Sequence, residues 1–135
     1  VSACINRHGI EKLFGELQKK EHHKFPKEGG ISGESTKQGV YVIRDEHGTV
    51  LHVGRTYGAE RGITQRLENH LYGSSSFTQS HFKDGEMKGN GKKLREVCTF
   101  QYLDVADDRA RAILECYAIS WHCPKHLGLS KKKTK

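Results

Sequence analysis

A chain of 135 residues, 34% hydrophobic and 29% charged, is long enough for one compact domain with a modest core and too short for two. No apolar run approaches the roughly 18 residues of a membrane-crossing helix, so no membrane partner is expected. The formal net charge of +7 suits a polyanionic partner instead, because each neutralised phosphate releases condensed counterions.

In chain order, residues 6–20 carry Ile10, Leu13, Phe14 and Leu17 at helical spacing, which predicts an amphipathic helix. Residues 24–37 hold Pro26, Gly29, Gly30 and Gly33 without periodicity and read as a loop. Val40 to Ile43 and Val50 to Val53 are two β-prone runs joined by the turn Asp45-Glu46-His47-Gly48, which predicts a hairpin. Ile63, Leu67 and Leu71 predict a second helix ending near Gly73. Residues 74–93 are polar and glycine-containing, so a long basic loop is expected, with at most one helical turn. Its His81, Lys83, Lys88, Lys92 and Lys93 are candidate phosphate contacts. Residues 97–105 predict a third strand. Asp107 and Asp108 open a last helix with an Ala110, Ile113, Leu114, Tyr117 and Trp121 stripe, ended by Pro124. The tail Lys131-Lys132-Lys133-Thr134-Lys135 is a solvated charge run that can add non-specific phosphate affinity. The expected fold is α/β of the α+β kind, a small, mainly antiparallel three-stranded sheet flanked by helices. Residues 1–36 form a helix and loop before it, 37–127 the main domain, and 128–135 a basic tail.

Cys4, Cys98, Cys116 and Cys123 are irregularly spaced and no secretory leader is visible, so reduced thiols in a cytoplasmic compartment are expected. Cys116, His122, Cys123 and His126 raise a structural zinc reading, although no CxxC pair accompanies them.

Hydrolysing a phosphodiester needs a base for water, positive charge for the phosphate and neutralisation of the departing oxygen. Arg66 and His70, at i and i+4, flank the apolar stripe of their helix at the rim of the core. Glu115 lies off the stripe of the last helix, free to bind a hard cation such as Mg²⁺ through oxygen. Alternation along the hairpin sends Tyr41 and Ile43 to one face, where Tyr41 faces a groove, and Val40 and Val42 to the other.

Gly39-Val40-Tyr41, followed by His52-Val53-Gly54, resembles the paired strand motifs of the GIY-YIG nucleases. Arg55-Thr56 resembles the basic residue and threonine that often follow the second motif. Gln65-Arg66-Leu67-Glu68-Asn69-His70 resembles the helix with the family's arginine, and Ile113-Leu114-Glu115 its metal-binding glutamate, with Pro124-Lys125 after it. The resemblance covers about two-thirds of the chain. It implies an endonuclease that cuts DNA with one divalent metal, Mg²⁺ with Mn²⁺ as a substitute, leaving a 5′-phosphate and a 3′-hydroxyl. Glu115 would hold the metal, and Arg66 would neutralise charge on the phosphate. Arg55 would stand near the water or phosphate. Tyr41 would act as the general base or relay to it, with His70 as its partner or as a phosphate donor. His52 replaces the tyrosine of the second motif, where it keeps the hydrogen-bonding role or takes over as base. His126-Leu127 stands where some members have an asparagine. The alternative that the His52 substitution favours is a catalytically inactive nucleic-acid-binding module on the same fold.

Overall fold

The computed structural model describes residues 5–81 and 88–127. Its centre is a four-stranded antiparallel sheet in the order β1-β4-β2-β3, formed by β1 (His23–Lys24), β2 (Gly39–Arg44), β3 (Val50–Arg55) and β4 (Thr99–Asp104). The described helices are α1 (Arg7–Lys19), α2 (Gly62–Leu71), α3 (Ser76–His81), α4 (Lys88–Val97) and α5 (Asp108–His122). None is long and apolar enough to cross a membrane.

The fold is the expected α+β arrangement of antiparallel sheet and flanking helices, with one strand more than the sequence predicted. The fourth strand is only two residues long, too short to leave a periodic signal, and it lies inside the segment read as a loop. What holds it is ring stacking: His23 lies 5.4 Å from Phe100 and 5.8 Å from Tyr102 on the neighbouring strand.

Both faces of the sheet are buried. Val40 and Val42 pack with Ile10, Phe14 and Leu17 of α1 and with Leu114 and Ala118 of α5. Tyr41 and Ile43 pack on the opposite side with Ile63, Leu67 and Leu71 of α2, Phe77 of α3 and Leu94 of α4. Tyr41 is therefore a core residue and not a groove-facing one, because helices cover the face that the hairpin pattern left open. Gln101, buried on β4, donates to the carbonyls of Leu17 and Lys20 and so satisfies the end of α1 from inside the sheet.

The segment read as one long loop contains α3 and α4 instead. Their apolar anchors, Phe77 and Leu94, are single fully buried residues, so burial holds helices that periodicity does not announce. Lys83 lies outside the described residues, as does the basic tail 128–135. The strand expected over 97–105 starts at Thr99, because Val97 closes α4. On α5 the expected stripe is displaced. Trp121 is 62% exposed, whereas Arg111 turns inward and is 4% exposed. Burial of that cation is satisfied by the carbonyls of Thr56, Val105 and Ala106 and by the Asp108 carboxylate.

The hairpin turn forms as its residues dictate. Asp45 Oδ1 accepts from the backbone N–H groups of His47 and Thr49, and Gly48 supplies the left-handed conformation at φ 78°. A bulge then opposes Ile43 to His52 and Arg44 to Val50, leaving Leu51 unpaired. Leu51 and His52 consequently both reach the Tyr41 side of the sheet.

Candidate active site

β3 is an edge strand, and its C-terminal half, the start of α3, the middle of α5 and the chain after α5 enclose a cleft of about 250 Å³. Its walls include His52, Gly54, Arg55, Arg66, Glu115 and His126. Four of the six candidate residues, His52, Arg55, Arg66 and Glu115, thus share one cavity although they come from a strand and two helices. The other two, Tyr41 and His70, lie beneath it in the core.

Glu115 projects from α5 toward β3 and pairs with Arg55, Oε1 to Nη1, at 3.4 Å. Burial pushes its pKa up, opposed by the charge of Arg55, a hydrogen bond from the Arg55 backbone and the charge of Arg66. Each guanidinium favours the charged form, but burial outweighs them and leaves the carboxyl above its ordinary value. Arg55 also lies over the ring of Tyr57, 4.6 Å from its centroid.

Tyr41 opposes Gly54 across the β2–β3 ladder. A Cβ at position 54 would lie 2.5 Å from Tyr41 Cζ and nearer still to the phenol oxygen, so the missing side chain is what lets the phenol rest against β3. The phenol oxygen is 2.6 Å from His70 Nε2, and His70 Nδ1 is 2.6 Å from Ser75 Oγ, which in turn meets Thr78 Oγ1 at 3.0 Å. Burial raises the Tyr41 pKa to about 12, while the charge of Arg66 and a hydrogen bond from it pull the other way. His70 was expected at the rim of the core and is instead 1% exposed, because α3 folds back over it. Burial, aided by the charges of His52, Arg66 and His126, holds its pKa well below the ordinary imidazole value. A neutral His70 that accepts from Tyr41 at Nε2 donates from Nδ1 to Ser75, so the serine selects the tautomer.

His52 lies with its ring stacked on Phe77 at 4.7 Å and its Nδ1 3.0 Å from Nδ1 of His126. Burial, then His126 and Arg66, lower its pKa to about 3, so it is a neutral imidazole at physiological pH. Among the described residues its Nε2 and the Nε of Arg66 are buried without a hydrogen-bond partner. Both residues line the cleft, although these two atoms have almost no exposed surface.

Sequence reasoning missed Ser75, Thr78 and Phe77, which lay in the segment read as loop, and gave His126 no partner. The chain after α5 returns along β3, with the N–H groups of Lys125 and His126 donating to the carbonyls of Val50 and Leu51, and this delivers His126 to His52. Of the basic residues of that segment, Lys92 and Lys93 lie on α4, and neither is among the described residues that line the cleft.

Among the described residues no three or more His, Cys, Asp or Glu side chains gather as a metal-binding group, and Cys116 and Cys123 are both exposed. That donor set does not fit a structural zinc, which takes four protein ligands. It does fit Mg²⁺, which keeps several waters and accepts one or two carboxylates together with substrate phosphate. Glu115 is the carboxylate among the described residues that line the cleft, and Arg66 lines it too.

Two neutral buried histidines have a pH consequence. Their folded pKa values lie below 6.5, so the unfolded chain takes up protons that the folded chain refuses. Stability from this source is intact above pH 6.5 and declines as pH falls below it, by up to about 1.4 kcal/mol per pH unit for each histidine. Urea unfolding at pH 7.5 and 5.5 should show the midpoint falling. An unchanged midpoint would mean that the two imidazoles are not held neutral.

No family model matches the chain. Among solved structures, it is similar to two of the GIY-YIG N-terminal endonuclease domain of UvrC from Thermotoga maritima, different tyrosine-to-phenylalanine point mutants bound to the catalytic divalent cation. The identities are 17% and 16%, each match covers 90% of this chain and 96% of the other, and the TM-score is 0.44 for both.

Proposed function

We propose that the protein is a DNA endonuclease that hydrolyses a phosphodiester with one divalent cation, Mg²⁺ or Mn²⁺, held at Glu115. The reading is carried by the meeting of Glu115, Arg55 and Arg66 in one cleft directly beside the Tyr41–His70 pair. A net charge of +7 agrees with a nucleic-acid substrate. The cation would supply Lewis-acid stabilisation of the charge that builds on the phosphate. Arg66, which lines the cleft, binds the scissile phosphate through its fixed donor fork. With a cation held at Glu115, Arg55 would be free to turn from that carboxylate to a phosphate oxygen.

Proton transfer falls to the buried pair. A phenol with a pKa of about 12 is a poor source of free phenolate, so Tyr41 works as a relay. It accepts the proton of the attacking water as its own proton passes 2.6 Å to His70 Nε2, and Ser75 steadies the imidazolium that results. His52 is hydrogen-bonded to His126 and not to the phenol, so it is an orienting neighbour. The products are a 5′-phosphate and a 3′-hydroxyl.

A second reading, a nucleic-acid-binding module without catalysis, is favoured by one observation: Tyr41 has no exposed surface. Supercoiled plasmid separates the two. The nuclease converts it to the nicked form with Mg²⁺ or Mn²⁺ and not in chelator, whereas binding without cutting under every metal supports the module.

A further inference from the structure

Beside the cleft at Glu115 lies a second hollow of about 280 Å³, walled by Arg55, Thr56, Tyr57, Gly58, Asp108 and Arg111. Tyr57 and Arg55 belong to both cavities and form the partition between them. Tyr57 is 68% exposed, with the Arg55 guanidinium on one side of its ring. Two other aromatic side chains are exposed among the described residues. Trp121 lies against Phe14, and Tyr72 sits by Gly30, so neither adjoins the cleft. The remaining candidates in the hollow are spent, since Arg111 already donates to three carbonyls and a carboxylate.

An aromatic ring braced on one side by a guanidinium and bare on the other is a surface for a flat, electron-rich partner. Every nucleobase has such a face, and in a duplex both faces are already covered by neighbouring pairs. We propose that Tyr57 is a stacking platform for an unpaired nucleobase of the DNA strand, seated in the second hollow next to the phosphate held at Arg66 and Glu115. This rests on the nucleic-acid part of the function proposed above. It narrows the substrate to DNA with an unstacked nucleotide at the cutting position: a single strand, a junction or a mismatch.

The test uses a single-stranded DNA oligonucleotide carrying one 2-aminopurine, bound by the whole chain in chelator so that no cutting occurs. Stacking on Tyr57 quenches the 2-aminopurine emission. Tyr57→Ala, at an exposed site and with an unchanged melting temperature as its control, should weaken binding by about 5- to 150-fold and lose the quench. Tyr57→Phe and Tyr57→Trp should retain both. Equal affinity and quench in Tyr57→Ala overturn the platform, as does a Tyr57→Phe loss equal to that of alanine. Absence of binding by the unaltered chain overturns it too. Plasmid nicking by the unaltered chain, scored separately, keeps the two readings apart. Nicking with a quench indifferent to Tyr57 removes only the platform, and a Tyr57-dependent quench without nicking removes only the catalysis.

Discussion

Glu115→Gln should lower plasmid nicking by about a hundredfold to a thousandfold or more, the scale on which losing one electrostatic element of a phosphoryl site acts. The amide keeps the volume of the carboxylate and removes its charge, so the cleft stays filled while the one carboxylate among the described residues of its walls is gone. Arg55 loses a charged partner 3.4 Å away but keeps its place over the Tyr57 ring. The fold should therefore survive, with an unchanged circular dichroism spectrum. DNA binding should persist or tighten in chelator, because Arg55 and Arg66 now face the phosphate without a competing carboxylate. This divergence between binding and cutting is the informative result. Arg66→Ala, by contrast, should lose both together. Calorimetric titration with Mn²⁺ gives a readout independent of turnover, and Glu115→Gln should abolish any binding isotherm seen with the unaltered chain. Nicking by Glu115→Gln at the original rate would remove the carboxylate from the reaction.

The parts of this architecture legible in the sequence are those where several residues repeat one message. The hairpin has two β-prone runs and an Asp-Gly turn whose side-chain acceptor and left-handed glycine are both used. Helices α1 and α2 each carry at least three apolar residues at helical spacing, and they begin and end within a residue or two of the expected limits. Legibility fails where one residue does the holding. Among the described residues Phe77 is the apolar anchor of α3, and α3 brings Thr78 to Ser75 beneath His70 and adds to the cover of the Tyr41 face. The same omission explains why His70 and Tyr41 read as groove residues: a helix period or a strand alternation says which side a residue faces, not what later chain folds over that side. Glu115 was legible because it departs from the apolar stripe of α5. Arg111 was not, because a buried arginine satisfied by three carbonyls is set by partners far along the chain.

The second large effect is expected at a residue with no side chain. Gly54→Ala places a methyl group 2.5 Å from Tyr41 Cζ and 3.0 Å from His52 Nε2. Neither neighbour has room to retreat. Tyr41 is fully buried between β3 and α2, and its oxygen is held by His70 at 2.6 Å. His52 is stacked on Phe77 and tied to His126. Overpacking of this kind costs about 1–3 kcal/mol and sometimes more, and a chain of this length should register it as a melting temperature lower by roughly 3 °C or more. Activity should fall further than stability, because the group displaced is the phenol to which the proposed reaction gives the proton relay. A double-mutant cycle isolates the cause. Tyr41→Leu ends the side chain short of position 54, so Gly54→Ala made in that background should cost less than in the native one, with a coupling of about 0.5–3 kcal/mol. Strict additivity would place the penalty elsewhere in β3 and detach Gly54 from the phenol. A positive coupling would mean that the glycine of the second strand motif serves chiefly to make room for the tyrosine of the first.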